Sequence, residues 1–187
     1  MFRRFYDDAP GPLTDADRAA VRVLEDRGGR AVTVAQNDPR LDVSLHLGDA
    51  TVDAATFDVL AELAPRLRGL NLRGRPVDDA LARKLTLLPN LERLHLENTQ
   101  ITDAALAPVG TLEKLTYLNL YGTAVTDAGL PDLRGLTSLR KLYLWQTGVT
   151  PAGVLALRED LPDCEFVGVD LPAPPRTPLL APKPAGR

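Results

Sequence analysis

The sequence predicts an arc-shaped α/β solenoid, with parallel strands on its concave face and short helices on its convex face. Three observations predict it. The pair Leu-x-Leu recurs at Leu70/Leu72, Leu94/Leu96, Leu118/Leu120 and Leu142/Leu144, a spacing of 24 residues, and at Leu45/Leu47, 25 residues before the first of these. Apolar residues follow each pair at fixed distances: Val52, Val77, Ile101, Val125 and Val149, then Leu60, Leu85, Val109, Leu133 and Leu157. Three consecutive units repeat nearly the same words, Leu-x-Leu-x-x-Thr-x-(Ile/Val)-Thr. Self-similarity at a period of this size marks a repeat architecture.

Each unit carries two periodicities. Leu-x-Leu has period 2, so both leucines point to one face of a short strand and the residue between them to the other. The next apolar residues are three apart, as at Leu106, Val109 and Leu112 or at Leu130, Leu133 and Leu136, which suits a short helix or 3₁₀ segment. One such unit cannot bury its leucines alone, but units stacked about 4.8 Å apart can.

The ends depart from this pattern. Residues 1–13, with Pro10-Gly11-Pro12, are expected to be disordered. The repeat domain is expected at 14–171, with a cap at 14–40, about five repeats at 41–162 and a degenerate last strand at 163–168. In the cap, Thr14 is a helix N-cap with Asp17 three residues on, and Ala20, Val23 and Leu24 supply an apolar face. Gly28-Gly29 stops this helix, and Ala31–Val34 reads as a short strand. Within the repeats, Thr102, Thr126 and Thr150 stand at helix N-caps, and Asp103 and Asp127 place negative charge in the first turn. Pro151 takes the equivalent place in the last unit, a position proline favours. Residues 172–187 are proline-rich and expected to form a disordered tail.

Composition excludes some functions. Net charge is −3, without the concentrated basic excess that a nucleic-acid footprint needs. The local basic cluster of Arg66, Arg68, Arg73, Arg75, Arg83 and Lys84 reads as solvated surface. One cysteine, Cys164, forbids an intrachain disulfide and fits a reducing compartment. With Met1 as the start, the N-terminus has neither a signal peptide nor a membrane span, so a cytoplasmic chain is expected. A monomer is the default expectation.

At residues 115–130 the chain reads Leu-Thr-Tyr-Leu-Asn-Leu-Tyr-Gly-Thr-Ala-Val-Thr-Asp-Ala-Gly-Leu. Residues 139–150 repeat this with Leu-Arg-Lys-Leu-Tyr-Leu-Trp-Gln-Thr-Gly-Val-Thr, and 161–166 close with Leu-Pro-Asp-Cys-Glu-Phe. These stretches resemble leucine-rich-repeat proteins of the bacterial type with Thr-Asp-x-Gly-Leu repeats. The resemblance implies a role in protein–protein recognition, and it supplies no catalytic residues and no cofactor. Where many such repeats place an asparagine after the strand, this chain has Thr99, Thr123 and Thr147, with Arg75 and Ala50 in the earlier units. The first two repeats are therefore expected to be less regular.

The candidate site follows from the strand period. If Leu94 and Leu96 point inward, Arg93, His95 and Glu97 point out on the concave face. The next strands add Tyr117, Asn119 and Tyr121, then Lys141, Tyr143 and Trp145. Upstream strands add Gly69, Asn71 and Arg73, and Ser44, His46 and Gly48. Four of the five Tyr and Trp residues thus share one face, with Tyr121 expected beside Trp145 and Tyr117 beside Lys141. Aromatics of this kind dominate binding hot spots. They also form cross-strand ladders that merely stabilise a sheet. The expected function is a protein-interaction module or adaptor, with an unidentified protein as partner. A sensor for a small ligand such as a glycan or peptide is the alternative. No enzyme is expected. His46 and His95, in one outward column about 9–10 Å apart at sheet spacing, lack the further ligands of a metal site.

Overall fold

A computed structural model describes residues 11–35 and 38–170 of the chain. The expected disorder of residues 1–10 and the expected proline-rich tail lie outside the described residues. Gly11–Leu13 were expected to be loose, but Arg66 donates to the carbonyls of Gly11 and Pro12, and Leu13 packs on the core.

The architecture is a leucine-rich-repeat solenoid. Helix α1 (Asp15–Asp26) starts at Thr14, whose side chain forms a reciprocal capping box with Asp17. Ala20 and Leu24 are buried beneath it, whereas Val23 is 43 % exposed and belongs to its outer face. Strand β1 (Arg30–Ala35) then runs antiparallel to β2 (Asp38–Ser44). From β2 onward every pairing is parallel: β3 (Leu67–Asn71), β4 (Arg93–His95), β5 (Tyr117–Asn119), β6 (Lys141–Tyr143) and β7 (Glu165–Val167). The seven strands form one sheet in sequence order. Between them lie α2 (Ala54–Glu62), α3 (Asp79–Ala82), α4 (Leu106–Val109), α5 (Pro151–Asp160) and short 3₁₀ turns. Helices are wider than the strand spacing of about 4.8 Å, so the stack bends with its strands on the inside. None of the helices formed by the described residues is long and apolar enough to cross a membrane.

The core is a column of leucines. Leu70, Leu94, Leu118 and Leu142 are register partners across four strands, and all are buried. Leu72, Leu96, Leu120 and Leu144 form a second buried column. After each of these the chain turns sharply. Gly74, Asn98, Gly122 and Gln146, each two residues on, all take positive φ. The hydroxyls of Thr99, Thr123 and Thr147 donate to the carbonyls of Leu96, Leu120 and Leu144, each at 2.7 Å, and close the turn.

The first repeat corrects the sequence reading. Val43 pairs with Leu70, and the Leu45 amide donates to Asn71 just as the Leu72 amide donates to His95. The buried pair is therefore Val43 and Leu45, while Leu47 is 46 % exposed. Arg75, which stands where later repeats have threonine, donates instead to the carbonyls of His46, Gly48 and Ala50 of the neighbouring turn.

The basic cluster is also largely structural rather than solvated. Arg66 is buried against Asp17 at 2.9 Å, and Arg68 is buried against Glu92 at 3.2 Å. Lys84 bonds Asp58 at 2.6 Å. Arg73 and Arg83 remain exposed.

Thr102 and Thr150 are N-caps as expected, but Thr126 is not: its hydroxyl accepts from the Ala128 amide in a turn, and the 3₁₀ segment Leu130–Leu133 starts at Gly129 without a side-chain cap. The Thr-Asp words also have a second use. Asp79 accepts from both the amide and the hydroxyl of Thr102, at 2.8 and 2.7 Å. Asp103 does the same for Thr126, at 2.7 Å for each bond, and Asp127 for Thr150, at 2.8 and 2.6 Å. Each carboxylate thus staples one repeat to the next.

Candidate functional site

The concave face carries three outward columns. The first reads Asp42, Gly69, Arg93, Tyr117, Lys141 and Glu165 in strand register. The second reads Ser44, Asn71, His95, Asn119, Tyr143 and Val167. The third continues the ladder past the strands, because the amides of Gly74, Asn98 and Gly122 donate to the carbonyls of Glu97, Tyr121 and Trp145. It runs Arg73, Glu97, Tyr121, Trp145. Tyr117 therefore lies beside Lys141, and Tyr121 beside Trp145, as the strand period predicts. The upstream entries differ. Asp42 rather than Ser44 flanks Gly69, and Ser44 rather than His46 flanks Asn71, so His46 and His95 do not share a column.

The first column is held by charge. Gly69 has no side chain, and a Cβ there would fall 2.0 Å from the Asp42 carboxylate. That gap lets Arg93 reach across to Asp42 at 2.7 Å. At the far end Lys141 bonds Glu165 at 3.2 Å, which raises the Lys141 pKa.

The middle is aromatic. The rings of His95 and Tyr117 are 4.8 Å apart, and those of Tyr117 and Tyr143 are 5.4 Å apart. Lys141 Nζ stands 5.6 Å from the centre of the Tyr143 ring, within cation–π range. Burial raises the Tyr117 pKa, opposed by the hydrogen bond from the Asn119 amide. These contacts form the cross-strand ladder that stabilises the sheet.

The third column borders a pocket. Arg73, Glu97, Asn119, Tyr121, Tyr143, Trp145 and Val167 line an open hollow of about 340 Å³. Trp145 is 54 % exposed, more than any other large apolar residue on this face. Its indole rests on the backbone of Gly168, whose φ is +103°. A Cβ on Gly168 would fall 1.7 Å from Trp145 Cδ1. Gly168→Ala is therefore expected to displace the indole and change the emission spectrum of this sole tryptophan. It should also cost at least about 1–3 kcal/mol, the usual penalty for a side chain in sparsely populated positive-φ backbone, because the Cβ would also fall 2.5 Å from the Trp145 backbone nitrogen. Unchanged emission would show that the ring is not seated there.

Glu97 is the residue that sequence reasoning placed on the surface and the structure buries. It is 7 % exposed. Its Oε1 lies 2.8 Å from His95 Nδ1, and its Oε2 is buried without a hydrogen-bond partner among the described residues. No pattern in the sequence signals this, because position within the repeat gives only the direction of the side chain. Cys164 is remote from the face, and burial pushes its thiol up to about 11, which removes it as a nucleophile at neutral pH.

No family model matches the chain, and no curated protein does. Among solved structures, the leucine-rich-repeat ectodomain of the receptor kinase SOBIR1 from Arabidopsis thaliana is similar over 87 % of this chain and 99 % of its own. The identity is 16 % and the TM-score 0.52. Internalin C2 from Listeria monocytogenes is 25 % identical, with a TM-score of 0.47, over 61 % of this chain and 45 % of its own. A leucine-rich-repeat protein of Leptospira interrogans is 19 % identical over 58 % of this chain and 38 % of its own, with a TM-score of 0.32. The chain thus spans less than half the length of the internalin C2 and Leptospira proteins. The first of these likenesses agrees with the repeat geometry, which defines a leucine-rich-repeat solenoid.

Proposed function

We propose that this chain is a protein-recognition module that binds its partner on the concave face. The recognition unit is residues 14–171, in a reducing, cytoplasmic setting. The residues assigned to the partner are Tyr117, Asn119, Tyr121, Lys141, Tyr143 and Trp145, with Arg93, His95 and Glu97 at the side. The observation that supports this most is the hollow lined by Tyr121, Tyr143 and Trp145, with a half-exposed indole at its edge. Exposed, pre-positioned aromatics lose little rotamer freedom on binding and bury large areas. Paired charges in the first column, Arg93 with Asp42 and Lys141 with Glu165, flank them on one side, as polar residues flank an apolar interface core.

The pocket volume also favours a second reading, a sensor for a small ligand such as a glycan or peptide, since hollows of about 300–1,000 Å³ suit such ligands. One experiment separates the two. Wild type and a Tyr121→Ala, Tyr143→Ala, Trp145→Ala variant, matched by circular dichroism, are used to capture proteins from source lysate. The captured protein is then purified and titrated against both. Recognition on this face predicts at least tenfold weaker binding by the variant. Equal affinity for both would remove the concave face from the reading. A small ligand that quenches Trp145 with no protein captured would favour the sensor.

A further inference from the structure

We infer that the concave pocket receives a lysine side chain presented by the partner protein. The inference rests on the recognition reading above and names the chemistry of what is recognised.

The first argument is the state of Glu97. It lines the pocket, more than nine-tenths of it is buried, and one carboxylate oxygen is spent on His95. The other oxygen, Oε2, has no hydrogen-bond partner among the described residues. A buried, unpaired carboxylate oxygen is costly, and a donor that reaches it recovers that cost. The second argument is the walls. Tyr121, Tyr143 and Trp145 line the pocket, and the faces of aromatic rings attract cations through their quadrupoles. The patch already holds one ammonium in this manner, Lys141 over Tyr143. The third argument selects between the two basic side chains. A guanidinium uses a planar fork to bind both oxygens of a carboxylate, and here only one is available. An ammonium is compact, and its four-carbon stem suits apolar walls.

Arg73 is the other charged residue that lines the pocket, and it is exposed. It borders Glu97 in the third column, but the two form no ion pair among the described residues. An anionic ligand would require Arg73, whereas a lysine does not. This makes Arg73 a direct discriminator.

The test uses the full chain, Trp145 fluorescence and two short peptides. One is Ac-Ala-Lys-Ala-NH₂, and the other replaces lysine with norleucine, which keeps the four-carbon stem and lacks the ammonium. The lysine peptide is expected to change the emission saturably and to bind at least tenfold more tightly than the norleucine peptide. Glu97→Gln, checked for folding by thermal melting, should erase that preference. Arg73→Ala should leave the preference intact or increase it. Equal binding of both peptides to wild type, which needs no variant, would overturn the inference. So would an unchanged preference in Glu97→Gln, or loss of lysine binding in Arg73→Ala. The partner protein distinguishes this failure from failure of the recognition reading. If Glu97→Gln keeps a partner that the triple aromatic variant loses, the face stands and the lysine assignment falls. If both variants keep it, both readings fall.

Discussion

Leu118→Ala is expected to lower the stability of the solenoid by about 3–4 kcal/mol, within the range measured for leucine truncation in tight cores. Leu118 is fully buried, and its register partners Leu94 and Leu142 are themselves buried leucines from the adjoining strands. Truncation therefore opens a cavity bordered by leucines from two other repeats. In a solenoid each repeat depends on its neighbours, so a central defect weakens the interfaces on both of its sides. The midpoint of thermal unfolding should fall by roughly 10 °C, taking about 2–4 °C per kcal/mol for a chain of this size. Urea unfolding followed by circular dichroism measures the change. The control is Leu47→Ala, expected to stay within about 0.5 kcal/mol because that leucine is exposed. Leu45→Ala should resemble Leu118→Ala. Equal costs for Leu45 and Leu47 would contradict the register of the first repeat.

That register marks the limit of what the sequence discloses. In the middle repeats the period of 24 is strict, so Leu94, Leu118 and Leu142 identify themselves, and with them every outward residue between. In the first repeat the structural step is from Val43 to Leu70, three residues longer. Two of the extra residues lie in the loop before α2, which begins 11 residues after Val43 where α3 begins 9 after Leu70, and one lies between the start of α2 and the next strand. Leu45/Leu47 matches the Leu-x-Leu pattern better than Val43/Leu45, and the pattern alone prefers it. Because strand side chains alternate with period 2, a slip of two residues keeps every side chain on its proper face. It moves each one into the neighbouring column instead. Ser44 and His46 stay outward, but Asp42, the partner of Arg93, is missed.

The candidate site divides in the same manner. Tyr117, Tyr143 and Trp145 are legible because position within the repeat fixes their direction. The unpaired oxygen of Glu97 is not legible, since the strand period gives the direction of a side chain and not its surroundings. The use of Asp103 and Asp127 was misread for a related reason. Within one repeat they look like residues that favour a helix start. Their partners Thr126 and Thr150 lie 23 residues on and become neighbours only after stacking. The recurrence of Asp79, Asp103 and Asp127 at intervals of 24 was the available signal.

Simultaneous Asp79→Ala, Asp103→Ala and Asp127→Ala substitution is expected to cost about 3–6 kcal/mol, with about 1–2 kcal/mol lost at each staple. Each alanine strands two donors, the amide and the hydroxyl of a threonine in the following repeat. These bonds are exposed, so water recovers part of the loss, and the estimate is kept well below that for two buried bonds. First-turn charge contributes only about 0.3–1 kcal/mol per helix by comparison. The asparagine variants separate the two effects. Asparagine keeps one carbonyl oxygen for the threonine amide and loses the charge. If stapling dominates, the three asparagines should restore at least half of the stability lost with alanine. If charge in the first turn dominates, asparagine should be nearly as damaging as alanine, at a total near the lower figure. Hydrogen exchange adds a local readout, because the amides of Thr102, Thr126 and Thr150 should lose protection in the alanine variant before the strand amides do. Retained protection at those three amides, with no change in urea midpoint, would mean the carboxylates decorate the convex edge without joining the repeats.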